Sequence, residues 1–547
     1  MQRFLRAGSF SVIALAALAA VSSVSLAADA NGIPLCTVAN DQVLPVTVSD
    51  GAGGIIVVWQ DARGGGAVYG QRLNAAGVAQ WTADGVALST TGDVNPPVIA
   101  SDGAGGAFIA FSGSSSFPRA QRVNGSGVPQ WGPDGVQLTT EISSARDLAI
   151  AQDLGGSGGA IVAWRKINGV AGTSDVYAQR VDASGVIQWN SAGIVIAATN
   201  MNNESNPAVV SDGVGGGIFA WISSGVRASR LNAAGTSVWG PANLAGTGSN
   251  NPPVMVSDGA NGAVVAWFGG GAFIQRVTSI GDRLWNPPNG GVPLSLTGRA
   301  PQLIANGPGG AIVAWEDNRS ATNFNIYAQK VSSTGAPQWT TDGSPICMAS
   351  ADQRAAQIVD DGAGGGIISW YDARMSGSQG NDIYAQRVNG AGTIEWPLDG
   401  VAVCTAPNHQ DFPTMASDGA GGAWIAWEDL RNGNQDIFAS HLGSGGAPLA
   451  VTPQVRTDLV SRAWPCPFSE RVTMEFVMPV PATVRMMVYD VDGRAVADLG
   501  SASLPGGPSR IAWDGRSDAG HTVGAGVYFV RVDGPGLSLS RPVVRMR

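Results

Sequence analysis

One short motif recurs eight times along this 547-residue chain and constrains its fold more than any other feature. A typical copy has a Ser-Asp-Gly turn and then an apolar run that ends in an aromatic residue, as in residues 49–59. The central turn residues of the eight copies are Asp50, Asp102, Asp153, Asp212, Asp258, Asn306, Asp361 and Asp418. Successive copies are separated by 46 to 59 residues, a length that suits one supersecondary unit per copy.

Each copy has the pattern of four short strands. The first strand ends at the Ser-Asp-Gly turn, where glycine allows the positive φ that a tight hairpin needs. The second strand is continuously apolar, as in 311–315, and the third has the form seen in 383–388. The fourth follows a Gln-Trp pair and an Asp-Gly-Val turn, as in 81–88. Four strands repeated at about 50 residues predict the blades of an all-β propeller, here with eight blades in residues 28–450.

The two ends of the repeat region indicate how such a ring would close. The eighth copy continues through His441 and then lacks the Gln-Trp pair and the final strand. A matching strand occurs at the other end of the chain, in 32–36, where Cys36 precedes Asp50 by 14 residues. Cys347 and Cys404 have the same spacing to the turns of their following copies. We therefore predict that the N-terminal strand completes the last blade and pairs edges that would otherwise be exposed.

Length variation is concentrated in the connection between the second and third strands. The distance from the second-strand aromatic residue to the basic residue of the third strand is 9 residues from Trp221 to Arg230 and 15 from Trp315 to Lys330. In a propeller these connections all emerge on one face. That face is the predicted surface for ligand contact.

The N-terminus has the pattern of a signal peptide over residues 1–27. Arg3 and Arg6 flank the start of an apolar stretch, and residues 25–27 form a small-x-small cleavage site. An N-terminal membrane anchor is the alternative, but the run is short for a span and contains serines. We predict cleavage near Ala27 and no membrane span in the mature chain. A net charge of -9 argues against nucleic acid or anionic lipid as the main partner.

The repeat stops after about Leu449 and gives way to a predicted linker, 451–461, and a second domain, 462–547. Alternating strands and hairpin signals in this domain predict a small Ig-like β-sandwich. Its ordered motifs are Pro465-Cys466-Pro467-Phe468, Tyr489-Asp490-Val491-Asp492-Gly493-Arg494, Trp513-Asp514-Gly515, Gly526-Val527-Tyr528-Phe529 and the basic end Arg541–Arg547.

These motifs closely resemble the type A sorting domains of the type IX secretion system and the related Ig-like domain of flagellar hook-capping proteins. Cys466 departs from the family, which usually has Asn between the two prolines. The resemblance implies a Gram-negative bacterium and export across the inner membrane. It also implies outer-membrane passage by secretion machinery that recognises this tail, with the product secreted or held at the cell surface.

Recurrent acidic residues are the first candidates for a metal or catalytic site. One group follows the second-strand Trp: Asp61, Asp317, Asp372 and Asp429. Another precedes the third strand: Asp175, Asp382 and Asp436. Pairs such as Asp372 with Asp382, or Asp429 with Asp436, would offer hard oxygen ligands to Ca²⁺. The alternative, which we favour, is hydrogen bonding within the hairpin loop and pairing with Arg63, Arg319, Arg374 or Arg431.

Other residue types also fit a scaffold better than a catalytic site. Gln-Arg pairs in the third strand, such as Gln71-Arg72, predict cross-strand or inter-blade bonds. Cys36, Cys347 and Cys404 occupy one repeat position and predict small buried residues rather than disulfides. The loop residue His409 has no recognisable nucleophile or metal partner in the sequence. We assign no catalytic, cofactor-binding or metal-binding residue and expect no cofactor.

Three functions remain open from the sequence. The first is an exported non-enzymatic propeller that binds an extracellular glycan or protein through its variable loops. The second is a propeller hydrolase or lyase acting on extracellular polysaccharide, and the third is a structural envelope protein. Unique carboxylates converging near the centre of the ring would favour the enzyme.

Overall fold

The computed structural model describes residues 31–546 except for a set of short internal segments. Those segments are 91–95, 113–116, 142–143, 169–172, 199–202, 246–250, 286–289, 378–379, 450–461, 479–481, 492, 505–506 and 535–536. The predicted signal peptide (1–27) and linker (451–461) therefore lie outside the described residues. Among the described residues the protein is built from β-strands, with one 3₁₀ turn at Arg63–Gly65.

The strands of the repeat region run in chain order from residue 33 to residue 442. They are β1 (Ile33–Cys36), β2 (Gln42–Ser49), β3 (Ile55–Asp61), β4 (Ala67–Leu73), β5 (Val86–Ser89), β6 (Val98–Ser101), β7 (Ala107–Ser112), β8 (Pro118–Val123), β9 (Val136–Gln137), β10 (Ser144–Gln152), β11 (Ala160–Ile167), β12 (Ser174–Val181), β13 (Ile194–Ala197), β14 (Ser205–Ser211), β15 (Gly217–Ile222), β16 (Val226–Leu231), β17 (Ser237–Asn243), β18 (Val254–Ser257), β19 (Ala263–Phe268), β20 (Ala272–Val277), β21 (Val292–Ser295), β22 (Gly298–Ala305), β23 (Ala311–Asp317), β24 (Asn325–Val331), β25 (Ser344–Cys347), β26 (Gln353–Asp360), β27 (Gly366–Asp372), β28 (Asp382–Val388), β29 (Val401–Cys404), β30 (Gln410–Ser417), β31 (Ala423–Asp429) and β32 (Asp436–Leu442).

These strands form four-stranded antiparallel sheets, which we number by their order along the chain. Sheets 1 to 7 each contain four consecutive strands: β2–β5, β6–β9, β10–β13, β14–β17, β18–β21, β22–β25 and β26–β29. Sheet 8 has the order β30-β31-β32-β1. In every sheet the first and second strands are joined by a Ser-Asp-Gly-type turn, so this connection and the third-to-fourth connection lie at one end of the sheet. The second-to-third connections lie at the opposite end, which we call the loop face.

The second strand of each sheet is buried because it packs against a neighbouring sheet on both of its faces. In sheet 1, Ile55, Val57 and Trp59 belong to a core shared with sheet 8. Ile56 and Val58, which alternate with them, belong to a core shared with sheet 2. A strand covered on both faces needs an uninterrupted apolar sequence, and this explains the continuous apolar run in each repeat.

The first strands of the sheets form a closed circuit of contacts. Each first strand contacts the first strands of both adjacent sheets, and β30 of sheet 8 contacts β2 of sheet 1. The hydroxyls of Thr47 and Thr414 lie 2.9 Å apart across this last junction, and the Trp424 indole donates to the Gly53 carbonyl at 2.9 Å. Repeated four-stranded sheets around such a circuit are consistent with a β-propeller.

The N-terminal strand pairs with the last strand of the repeat region, as the sequence predicts. β1 lies antiparallel to β32, with Ile33 opposite Ala439 and Cys36 opposite Ile437. Leu35 and Cys36 are buried in the core between sheets 8 and 1. The edge of β32 is thereby covered by a strand that is about 400 residues distant in sequence.

The C-terminal part of the chain forms two further antiparallel sheets. Its strands are β33 (Arg462–Trp464), β34 (Val472–Met478), β35 (Ala482–Tyr489), β36 (Ala495–Leu504), β37 (Gly507–Trp513), β38 (Gly526–Gly534) and β39 (Leu537–Arg545). One sheet has the order β33-β34-β37 and the other β36-β35-β38-β39. Both contribute to one core that includes Phe468, Phe476, Val488 and Trp513. No helix long and apolar enough to cross a membrane occurs in the described part of the chain.

The role of β1 in joining the two ends of the repeat region can be tested by shortening one buried side chain. Leu35 is 4% exposed, so Leu35→Ala should lower the free energy of unfolding by about 2–5 kcal/mol through lost burial and a cavity. Guanidinium denaturation followed by Trp fluorescence measures the change. Pro34→Ala, at the exposed neighbouring position, is the control and should stay within about 0.5 kcal/mol of the wild type. Equal stability of both variants would contradict a structural role for β1.

Candidate functional site

The recurrent turn aspartates and third-strand arginines form a scaffold. Asp50 accepts two bonds from the Arg72 guanidinium, at 3.0 and 2.9 Å, and the same guanidinium donates to the Gly125 carbonyl of sheet 2 at 2.9 Å. The Gln71 side chain binds Thr82 and the peptide N–H of Trp81. The predicted cross-strand and inter-blade bonding of the Gln-Arg pairs is therefore confirmed. Equivalent ion pairs are Asp102–Arg122, Asp153–Arg180, Asp212–Arg230, Asp258–Arg276 and Asp361–Arg387.

Two sheets vary this arrangement while keeping a contact to the next structural unit. In sheet 8, His441 replaces the arginine, binds Asp418 at 2.9 Å and stacks on Trp424 with ring centroids 4.4 Å apart. The contact to sheet 1 comes from the Trp424 indole, which donates to the Gly53 carbonyl. In sheet 6, where the turn residue is Asn306, Lys330 donates to the Gly364 carbonyl of sheet 7 at 3.2 Å. These substitutions are local alternatives for the same structural task.

The aspartates that follow the second-strand Trp are also held by hydrogen bonds. Asp372 accepts from the Trp370 indole at 2.8 Å and from Arg374 at 2.6 Å. The same guanidinium donates to the Asp399 carbonyl at 2.8 Å and lies 4.0 Å from the Tyr384 ring centroid. Matching clusters surround Asp61, Asp317 and Asp429. The hydrogen-bonding interpretation of these four aspartates is confirmed.

Three cysteines occupy the fourth-strand position beside these clusters. Cys36 and Cys347 lie 3.8 and 3.9 Å from carboxylates of the following sheets, and Cys36, Cys347 and Cys404 are free and buried. Burial raises the pKa of each thiol to about 12. Ser295 takes the equivalent place in sheet 5 and donates to Asp317 at 2.6 Å. The prediction of a small buried residue in this slot is confirmed.

The Trp-x-Asp-x-Arg cluster occurs in four sheets that are adjacent in the circuit: 6, 7, 8 and 1. We call them the arc. The residue between Trp and Asp varies within the arc: it is glutamate in sheets 6 and 8 (Glu316 and Glu428), tyrosine in sheet 7 (Tyr371) and glutamine in sheet 1 (Gln60). The longest second-to-third connection, 373–381, also belongs to the arc. Variable side chains on a constant framework are typical of a recognition surface.

Bulges in the first strands bring the peptide backbone to these variable residues. Leu44 and Ala355 have positive φ values of 56° and 54°, and each donates its N–H to a glutamate of the preceding sheet. Leu44 binds Glu428 at 2.7 Å, and Ala355 binds Glu316 at 2.8 Å. The glutamates are nearly fully buried. They therefore serve to hold the junctions between sheets 8 and 1 and between sheets 6 and 7.

The junction between sheets 7 and 8 differs because Tyr371 replaces the glutamate. Its ring meets the Phe412 ring edge-on, with centroids 6.4 Å apart. Phe412 has a φ of 50° and remains 52% exposed. Phe412 therefore presents a partly exposed aromatic ring at a first-strand bulge, beside the ring of Tyr371.

Polar groups surround this aromatic pair on the loop face. The Asn381 side chain donates to Asp411 at 2.8 Å, and its peptide N–H donates to Nδ1 of His409 at 3.2 Å. His409 is about half exposed and lies 3.9 Å from the Asp411 carboxylate. The structure thus places beside His409 the acidic partner that its sequence context did not reveal. We call Tyr371, Asn381, His409, Asp411 and Phe412 the aromatic site.

A cluster of cations and one aromatic ring lies at the next junction, between sheets 6 and 7. The guanidinium groups of Arg299 and Arg354 lie 3.8 and 4.2 Å from the Phe324 ring centroid. Each cation has an acidic partner, since Arg299 binds Glu316 at 3.0 Å and Arg354 binds Asp352 at 2.9 Å. The cluster is therefore charge-balanced. It extends the polar and aromatic lining of the arc beside Tyr371.

Burial and neighbouring carboxylates perturb several groups of the arc. Burial, together with Glu316, Asp411 and Asp352, raises the pKa of Tyr371 to about 12. Burial and the nearby Asp411 and Asp41 raise the pKa of Glu428 to about 7, although the Leu44 N–H opposes this. Tyr371 therefore stays neutral near pH 7 and can donate a hydrogen bond. Glu428 changes its charge in the same pH range.

Sequence reasoning singled out His409, but it missed Tyr371, Asn381, Asp411 and Phe412. These residues come from two repeat copies, and none belongs to a recognisable motif. The available signal was variability at a fixed repeat position, since the residue after the second-strand Trp is an acid, an amide or an aromatic within the arc. No group of three or more His, Cys, Asp and Glu side chains in the described ranges is arranged to hold a metal ion.

Comparison with known proteins gives distant structural similarity only. No protein-family model and no curated protein matches the chain. A lectin from Burkholderia pseudomallei has 13% sequence identity and a TM-score of 0.39, covering 66% of this chain and 99% of that one. An ulvan lyase has 11% identity and a TM-score of 0.41, covering 76% and 96%. The SapL1 lectin has 11% identity and a TM-score of 0.31, covering 77% and 99%. These values are too low to support an argument about function.

The raised pKa of Glu428 predicts a pH-dependent stability. The folded state holds this proton more tightly than the unfolded state, so stability falls as pH rises from about 4.5 to 7 and stays lower above pH 7. Glu428→Gln should be more stable than the wild type at pH 8 by on the order of 2 kcal/mol, and this advantage should vanish near pH 4.5.

Thermal unfolding across this pH range measures the effect. Glu470→Gln, at an exposed position, is the matched control and should follow the wild type at every pH. A constant difference between Glu428→Gln and the wild type from pH 4.5 to pH 8 would show that the Glu428 carboxyl does not change its proton in this range.

Proposed function

We propose that this chain is an exported eight-bladed β-propeller that binds an extracellular glycan at the aromatic site. The observation that carries the proposal is Phe412, which is half exposed beside Tyr371 at a junction where related junctions have a buried glutamate. A sugar ring presents C–H groups that pack on an aromatic face and hydroxyls that bind nearby polar groups. Asp411, Asn381 and His409 supply both acceptors and donors for those hydroxyls.

Two features support an eight-bladed closed ring as the scaffold of this site. The first strands contact one another in a circuit, and β1 covers the edge of β32. The arc then forms about half of the loop face, and its first strands lie nearest the ring centre. A ligand at the aromatic site would contact both the variable connections and the inner strands.

Binding fits the site better than catalysis because its charged groups already have partners. Asp411, the carboxylate of the aromatic site, is bound by Asn381. Glu428, outside the site at the junction of sheets 8 and 1, is bound by Leu44 and Gln435. A general acid and a general base within reach of one substrate bond are needed for a hydrolase or lyase. The experiment below therefore also tests two alternatives: a polysaccharide hydrolase or lyase, and a purely structural protein.

Phe412→Ala should weaken glycan binding about fivefold, because a lost aromatic contact of this kind is worth roughly 1 kcal/mol and 1.4 kcal/mol is tenfold in affinity. The mature protein is first screened on a glycan array, and the affinity of the best ligand is then measured by calorimetry. Leu398→Ala is the control, since Leu398 is 79% exposed and lies in a connection away from the aromatic site. The control should bind as the wild type does.

Three results would contradict the proposal. Absence of glycan binding favours the structural protein or a protein ligand. Equal binding by Phe412→Ala and the wild type places the ligand elsewhere. Release of shorter saccharides or of unsaturated sugar ends during incubation identifies the enzyme.

We further propose that residues 1–27 direct export and that the C-terminal domain, 462–547, is an Ig-like sorting module for type IX secretion. The two sheets that share the Phe468 and Trp513 core agree with a sandwich. The ordered motifs of this domain support the sorting role. The protein would then act at the outer-membrane surface or outside the cell.

After removal of residues 462–547, the protein should remain in the periplasm of a Gram-negative host with working type IX secretion. Cell fractionation and immunoblotting of medium, surface and periplasm measure its location. The full-length chain in the same host lacking the secretion machinery is the control and should also stay in the periplasm. Equal amounts of truncated and full-length protein in the medium would refute the sorting role.

A further inference from the structure

An asparagine side chain is surrounded by oxygen atoms at one position of sheet 6. Nδ2 of Asn323 donates to the Asn325 side chain at 3.0 Å and lies 2.7 Å from the Ala351 carbonyl and 3.3 Å from the Ala349 carbonyl. Asn325 begins the third strand, and the two carbonyls belong to the loop that follows the fourth strand. The amide nitrogen thus links two connections of the loop face.

Sheet 8 repeats the arrangement with a carboxylate. Nδ2 of Asn434 donates to Asp436 at 2.9 Å and lies 2.9 Å from the Asn40 carbonyl and 3.4 Å from the Val38 carbonyl. Asn432 provides a second amide donor to the same carboxylate at 2.7 Å. In both sheets a nitrogen with partial positive charge fills a position lined by oxygen atoms.

Sheet 7 lacks this amide. Gly380 stands two residues before Asp382, where sheets 6 and 8 have Asn323 and Asn434. Asp382 is only 1% exposed, and neither of its carboxylate oxygens has a hydrogen-bond partner among the described residues. A buried carboxylate without a partner is costly and needs a compensating group.

The loop that would complete this position has the same form in all three sheets. Asn408 has a φ of 68°, close to the 64° of Ala351 and the 73° of Asn40, its equivalents. Nε2 of Gln410 donates to the carbonyls of Pro407 and Asn408, and this bond fixes the loop. Ala406 and Asn408 are therefore the counterparts of the residues whose carbonyls face the amide nitrogen in sheets 6 and 8.

We propose that Asp382 and the carbonyls of Ala406 and Asn408 bind a calcium ion, which replaces the amide nitrogen of the other two sheets. Carboxylate and carbonyl oxygens are the ligands that Ca²⁺ prefers, and water completes its coordination. Asp372 takes no part, because Trp370 and Arg374 already bind it.

This calcium site is separate from the proposed glycan site but adjacent to it. Asn381 and His409, which belong to the aromatic site, are the chain neighbours of Asp382 and Asn408. An ion bound to Asp382 would hold in place both the second-to-third connection of sheet 7 and the loop that contains Asn408, next to the aromatic site. The proposal concerns the ion alone, and it stands whether or not a glycan binds.

Calcium titration of the mature, EDTA-treated protein tests the proposal directly. Calorimetry with CaCl₂ should show uptake by the wild type, and thermal unfolding should shift to higher temperature with Ca²⁺. Asp382→Asn should weaken calcium affinity roughly 100-fold or more, because it removes the carboxylate ligand. Asp436→Asn is the matched control, since Asn432 and Asn434 already satisfy that carboxylate, and it should bind Ca²⁺ as the wild type does.

A second variant separates a lost ligand from a damaged fold. In sheet 8, Asn434→Gly combined with Asn432→Ala removes both amide donors to Asp436 and should add a calcium site. Asp382→Asn should also be at least as thermally stable as the wild type in EDTA, because it removes a buried unpaired charge. No calcium uptake by the wild type, or unchanged uptake by Asp382→Asn, would overturn the proposal. These experiments measure calcium binding and not glycan binding, so a negative result would leave the glycan proposal unaffected.

Discussion

Burial of the second strand on both faces is the constraint on which the rest of the structure depends. A residue such as Trp59 faces sheet 8, while its neighbour Val58 faces sheet 2. Every sheet therefore needs a partner on each side, and a linear stack would leave two apolar faces exposed to water. Contact between β30 and β2 removes those faces. The turn aspartates add polar bonds to the same junctions, and Arg72 reaches sheet 2 as well as its own turn.

The scaffold could be predicted from the sequence because its signals are local or periodic. The Ser-Asp-Gly turns and apolar runs indicated four-stranded units, and the 14-residue spacing of Cys36 to Asp50 indicated the pairing of β1 with β32. The aromatic site could not be predicted in this way. Tyr371 and Phe412 lie 41 positions apart in different repeat copies, and their contact depends on how adjacent sheets pack. The same holds for Glu428 and Leu44, which meet only because the ring ends are joined.

The acidic residues show why repetition alone does not decide between scaffold and site. Asp372 and Asp382 lie opposite one another on β27 and β28 of sheet 7. From the sequence alone, they form one candidate pair of calcium ligands. Their surroundings differ, because Asp372 receives bonds from an indole and a guanidinium. Burial and the nearby Asp372 raise the pKa of Asp382 to about 6, only partly offset by Arg374. The missing asparagine at Gly380 was visible in the sequence. The structural consequence of having glycine there becomes clear only from the carbonyl groups that Asn323 and Asn434 contact in sheets 6 and 8.

Approximate symmetry also determines how many ligands such a ring can bind. A site built from repeat-equivalent residues would recur at many junctions and favour multivalent binding. The position after the second-strand Trp is Tyr in sheet 7 alone, and Phe412 is the one aromatic residue among the first-strand positions with positive φ in the described chain. The other junctions of the arc hold buried glutamates bound to backbone N–H groups. Among the described junctions of the arc, one therefore combines a half-exposed aromatic side chain with polar neighbours, and repeat symmetry does not reproduce this combination at the others.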